Sequence, residues 1–167
     1  TEHTTHSYSK SHCLGAESLS TYGRVMNKYP DGLKRCFGEP GDTLMMRYHD
    51  EEWGRPVHDE RDLFELLSLE VFQAGLSWRT VLHKREAFRL AFHGFNPDKV
   101  SIYTETDQDR LLADAGIIRN KLKIAATINN AQKFLRIQQA LGSFDHYIWQ
   151  FTEYQTLHIP RVSTHKI

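Results

Sequence analysis

The sequence holds 167 residues, 40% hydrophobic and 25% charged, with a formal net charge of zero. That length fits one domain with room for a buried core, and the composition is that of an ordinary soluble protein. The polar opening TEHTTHSYSKSH is no secretory leader, no run approaches the ~18 apolar residues of a membrane span, and two cysteines, Cys13 and Cys36, make no disulfide framework, so a cytoplasmic location is expected. Zero net charge argues mildly against a bulk electrostatic grip on nucleic acid and leaves that work to local patches.

In chain order, residues 1–32 are rich in Ser, Thr, His, Gly and Tyr without periodicity and read as a disordered tail. From Leu33 to Ile167 the composition shifts, and nearly every segment has helical spacing. A helix is predicted over Glu60–Ala74, capped by Asp59 and ended by Gly75. A second starts near Ser77, carries Val81, Leu82, Phe88 and Phe92, and breaks at Gly94 and Asn96–Pro97. A short helix begins near Thr106 and closes at Gly116. A long one runs from about Asn120 to Gly142 with Ile124, Ile128, Ala131 and Leu135 in register, and Ser143 caps FDHYIWQF. No clean two-residue alternation competes, so the predicted class is all-α with short connections.

One position breaks the pattern. On a helical wheel Leu63, Leu66, Leu67 and Ala74 form a stripe of the first helix, and Glu70 falls in its middle, where amphipathicity would place Leu or Ile. An unpaired buried carboxylate costs roughly several kcal/mol, so it needs a partner or a purpose. A lone Glu on such a face is most simply one that pairs with an Arg or caps a neighbouring helix. Here Gln73 lies one turn on, and Ser77–Trp78 opens the next helix after the break at Gly75. A carboxylate, an amide and an indole at one junction suit a planar, polar, partly cationic ring. Upstream, residues 36–54 (CFGEPGDTLMMRYHDEEWG) gather Tyr48, His49 and Trp53. Cys36 and His49 are credible zinc ligands, but a structural zinc takes four and no CxxC or HxxxH completes the set.

Three segments, RYHDEEWGRPVHD, LEVFQAGLSWRTVLHKREAF and DAGIIRNKLKIAATINNA, in that order, resemble the bacterial 3-methyladenine DNA glycosylase I family. The likeness runs from about Cys36 to about Phe151. It implies an all-α fold of the helix–hairpin–helix glycosylase superfamily and an enzyme of base excision repair that hydrolyses the N-glycosidic bond of alkylated adenine in double-stranded DNA, leaving an abasic site and free 3-methyladenine. Residue by residue, it implies that Glu70 is the base-contacting carboxylate with the catalytic role, Tyr48 the base-recognition tyrosine, and Trp78 the indole on which the base stacks. Tyr48, Glu70 and Trp78 are expected to meet at one cavity. Cys36 and His49 match the first half of a structural zinc site, and are expected to approach each other.

The family's glycine-containing hairpin and its other two zinc ligands lie downstream of the matched segment, so the chain is expected to be truncated at its C-terminus and to bind little zinc. DAGIIRNK, residues 114–121, with one glycine, is a weak match to a DNA-anchoring hairpin, and His158 and His165 sit in no matching motif. Arg79, Lys84, Arg85 and Arg89 gather on one predicted helix, and Arg119, Lys121 and Lys123 open another. Most read as solvated helix faces. Arg119 and Lys121, at a helix start, are the expected contacts to the DNA backbone. The alternative function is a module that binds a purine or alkylated base without excising it.

Overall fold

The computed structural model describes residues 27–29, 31–35 and 37–157. Residues 1–26, most of the expected tail, lie outside this range, as does Cys36. The chain divides after Arg55 into two compact units.

The first unit begins earlier than Leu33. Strands β1 (Asn27–Lys28) and β2 (Lys34–Arg35) pair antiparallel, Asn27 opposite Arg35 and Lys28 opposite Lys34. Two-residue strands carry no legible alternation. Helix α1 (Thr43–Glu51) follows, capped by Asp42, whose carboxylate accepts from the Met45 amide. Arg35 holds this unit together. It is 4% exposed, lies 4.6 Å over the Tyr29 ring, and donates to both Asp31 and Asp50. The Tyr29 hydroxyl lies 3.0 Å from the Phe37 carbonyl oxygen and 2.9 Å from that of Gly38, and its single proton is shared between them.

Hydrogen bonds from Arg35 hold the Asp50 and Asp31 carboxyls below the usual carboxylate range; the His49 ring adds to the effect at Asp50 and the Leu33 amide at Asp31. A carboxyl with a lowered folded value contributes stability that is present above its unfolded value, about 3.9, and is lost as pH falls through the folded one. Indole NMR signals of Trp53 should therefore show the first unit losing thermal stability as pH drops below about 4. Arg35→Met should flatten that dependence, and an unchanged acid slope in the variant would assign it to other groups.

The second unit holds seven helices among the described residues: α2 (Glu60–Gln73), α3 (Trp78–His83), α4 (Arg85–Ala91), α5 (Pro97–Ser101), α6 (Glu105–Ala113), α7 (Lys121–Leu141) and α8 (Phe144–Trp149). The all-α expectation holds. The predicted caps Asp59 and Ser143, and the residues Ser77 and Asn120 near which helices were expected to start, each accept from a backbone amide of the first turn. Helix α6 opens one residue before Thr106, with Thr104 and Asp107 forming a reciprocal capping box.

Two features differ from the prediction. The helix expected from Ser77 to Phe92 is two helices, parted at Lys84 (φ −101°, ψ 0°). Asn96–Pro97 is both a break and a start, because Asn96 caps α5 and Pro97 takes its first turn.

A phenylalanine-rich core fills this unit. Phe64, Phe72, Phe88, Phe92 and Phe95 are fully buried and Phe134 nearly so. Phe64 meets Phe134 at 5.4 Å and Phe72 meets Phe88 at 4.5 Å between ring centroids. Among the described residues, no helix is long and apolar enough to cross a membrane.

Candidate functional site

Helix α2 turns a different face to the core from the one the wheel implied. Its buried residues are Phe64, Glu65, Ser68, Leu69 and Phe72. Leu63 and Leu66 are half-buried, while Leu67, Glu70 and Ala74 are exposed. The helix is apolar on nearly all sides, so its larger side chains decide the face. Phe64, Leu69 and Phe72 take the core side, where the two rings pack against Phe134 and Phe88. Ser68 tolerates burial because its hydroxyl donates to the Phe64 carbonyl at 2.7 Å.

The buried carboxylate of this helix is thus Glu65, 3% exposed. Arg85 Nε donates to its Oε1, and Arg89 Nε donates to its Oε2 at 2.9 Å. That bond to Glu65 is also what chiefly raises the Arg89 pKa. Pairing with arginine, one of the roles weighed for Glu70, belongs to Glu65. Glu70 stands instead on an exposed helix face among half-buried and exposed leucines.

The junction after Glu70 is closely braced. Gly75 takes φ 78°, a left-handed conformation that a side chain would strain. The Leu76 amide donates to the Gln73 carbonyl at 2.7 Å, and Gln73 Nε2 donates back to the Leu76 carbonyl at 3.1 Å. The amide expected to face a ligand therefore closes the turn. Ser77 Oγ accepts from the Thr80 amide and starts α3, whose first residue, Trp78, is half-buried against the phenylalanine core.

The cationic side chains divide into two groups. Lys84 Nζ donates to the Ala115 and Gly116 carbonyls at 3.2 and 2.9 Å. Lys123 Nζ donates to the Phe72 and Ala74 carbonyls at 2.8 and 2.6 Å. With Arg85 and Arg89 on Glu65, four of the seven basic residues singled out serve the fold. Arg119 and Lys121 are exposed and make no hydrogen bond or ion pair among the described residues. Residues 114–120, which include Arg119, form a tight link between α6 and α7. Asp114 Oδ1 accepts from the Gly116 amide at 2.7 Å, and a Cβ at Gly116 would come within 3.1 Å of the Ala87 Cβ.

In the first unit, Tyr48 and His49 lie half-buried on α1. The His49 ring stacks on Trp53 at 5.5 Å, and its Nδ1 lies 2.9 Å from Asp50 Oδ1. Phe37 packs edge-on against His49 at 4.8 Å and against Trp53 at 5.0 Å. The expected zinc partner Cys36 lies outside the described residues. Among the described residues, no group of three or more His, Cys, Asp or Glu side chains converges to hold a metal ion.

Fold and site together define an all-α protein with an exposed carboxylate and a half-buried indole on either side of a braced helix junction, and two exposed cations at the start of an adjoining helix. A family model described as methyladenine glycosylase matches residues 38–167, and the chain belongs to that family. DNA-3-methyladenine glycosylase 1 of Escherichia coli (strain K12) is 47% identical over 123 residues, 74% of this chain and 66% of that protein. A solved structure of 3-methyladenine DNA glycosylase I (TAG) matches with a TM-score of 0.69 at 47% identity, covering 72% of this chain and 66% of that one. TAG from Staphylococcus aureus, solved for the structural basis of 3-methyladenine recognition, matches at 0.68 and 40% identity, covering 80% of this chain and 66% of that one. The match thus spans 66% of the length of the curated relatives.

Proposed function

We propose that this chain is a DNA-3-methyladenine glycosylase acting in the cytoplasm on alkylated double-stranded DNA. The observation that carries the proposal is Glu70, an exposed carboxylate on the face it shares with Leu66, Leu67 and Ala74, one braced helix end from Trp78. The family match and the relatives' names support the choice of ligand. A base inside a duplex cannot be reached and must be flipped out. The N3-methylated nucleotide is cationic, so its glycosidic bond is already weak. The C1′–N9 bond breaks, its electron pair goes to N9, and the base leaves neutral. Water adds at C1′ and gives up a proton, leaving the abasic hydroxyl.

The protein's task is to bind the base and admit water rather than to supply a strong acid. Glu70 balances the cation in the nucleotide and accepts hydrogen bonds from the base. Trp78 offers a stacking surface worth roughly 1–3 kcal/mol, and Tyr48 is a further base-recognition residue by the same resemblance. Arg119 and Lys121 contact the DNA backbone.

Alkylated duplex incubated with the protein should release free 3-methyladenine, measured chromatographically. Binding without release would favour the module that holds the base without excising it. Arg119→Ala with Lys121→Ala should weaken duplex binding at 0.1 M salt and reduce its salt slope by about two. An unchanged slope would exclude these two side chains as phosphate contacts.

A further inference from the structure

Lys123 sits near two exposed cations and would pass for a third phosphate contact. Its ammonium is committed elsewhere. It donates to the Phe72 and Ala74 carbonyls at the C-terminal end of α2, 51 and 49 residues away in sequence. Those carbonyls belong to the turn where a helix leaves its last acceptors without partners. Helix α2 carries no basic residue of its own in its last turn, so the complement to its negative end comes from α7. Lys123 is fixed in turn, because its amide donates to Asn120 Oδ1 at 3.1 Å in the cap of α7.

The turn that Lys123 grips separates Glu70 from Trp78. Among the described residues its other hydrogen bonds are local, from the Leu76 amide to Gln73 and from the Gln73 side chain to Leu76. Those bonds close the turn, and the core packing of Phe72 and Trp78 anchors its two flanks. Lys123 adds a hydrogen-bonded tie to the turn's own backbone, and it does so from the same helix start that presents Arg119 and Lys121.

We propose that Lys123 is a positioning residue: it fixes the α2–α3 junction so that Glu70 and Trp78 are held at the spacing a planar base requires. This rests on the glycosylase reading. A site displaced by a fraction of an ångström keeps its fold but loses affinity, because hydrogen bonding and stacking can no longer be satisfied together.

The test is a series at this position, Lys123→Arg, Lys123→Gln and Lys123→Met. Free 3-methyladenine is titrated by tryptophan fluorescence well below the melting temperature of each variant. Lys123→Met should weaken free-base binding about tenfold, the loss of a charge-assisted hydrogen bond's worth of placement. Lys123→Gln should fall between, and Lys123→Arg should restore most of the affinity. If the Met variant does not fold, the order of Arg over Gln still decides. A phosphate-contact role predicts otherwise: duplex binding weakens, its salt slope falls by about one, and free-base affinity stays constant. Constant free-base affinity across the series overturns the proposal. A parent chain that binds no 3-methyladenine overturns the glycosylase reading, and this proposal with it.

Discussion

Glu70→Gln should raise the dissociation constant for 3-methyladenine about tenfold or more and leave the melting temperature where it is. The substitution keeps shape and a hydrogen-bonding carbonyl while removing the charge. Charge-assisted hydrogen bonds that become buried under a ligand are worth roughly 1.5–3 kcal/mol, and 1.4 kcal/mol is tenfold in affinity. Stability should not respond, because Glu70 is exposed in this structure and surface substitutions usually fall within about 0.5 kcal/mol. Had the carboxylate been buried as the wheel implied, its neutralisation would have raised the melting temperature. Base titration and thermal melts on both proteins check the pairing. Unchanged affinity would retire the base-contacting role of Glu70, and a large drop in melting temperature would make it a structural residue.

What was legible in the sequence was mostly local. Asp59, Ser77, Asn120 and Ser143 cap helices through bonds to amides two or three residues on, so the residue type and its neighbours are enough to find them. Gly75 and Gly142 were legible for the same reason, since each takes a positive φ just past a helix. Helix α1 is not legible as a helix because Met45 is its one buried residue, which leaves no apolar stripe to read. Helix α5 is five residues long and begins at a proline, which reads equally as a stop.

The misjudged face of α2 has a different cause. With Leu63, Phe64, Leu66, Leu67, Leu69 and Phe72 spread round the helix, the wheel cannot choose between two apolar faces. The choice is made by partners distant in sequence: Phe134 against Phe64, Phe88 against Phe72, and two arginines against Glu65. The roles of Lys84 and Lys123 were hidden likewise, because their acceptors are backbone carbonyls more than thirty residues away. A carbonyl leaves no mark in a sequence. Arg119 and Lys121 could be singled out because a cation at a helix start needs only its own neighbourhood to be exposed.

Glu65→Ala should be the most destabilising of the changes considered, by about 3–5 kcal/mol, the range for breaking one side of a buried ion pair. Truncation does not merely remove a favourable pair. It leaves the Arg85 guanidinium, whose side chain is 13% exposed, without its carboxylate, and Arg89 loses the bond that chiefly raises its pKa. For a chain of this size each kcal/mol shifts the melting temperature by roughly 2–4 °C, so a drop of about ten degrees is expected by calorimetry. Replacing both charges, Glu65→Leu with Arg85→Met, should recover much of the loss, because a buried pair often breaks even against apolar side chains of similar volume. Free-base affinity measured well below the melting temperature should be the same in all three proteins. That outcome would separate two carboxylates of one helix, Glu65 held for stability and Glu70 for binding. A double replacement as unstable as Glu65→Ala would mean that Arg85 has a second, independent structural role. Loss of base affinity in the stable double variant would mean that the buried pair, rather than the junction alone, sets the position of Glu70.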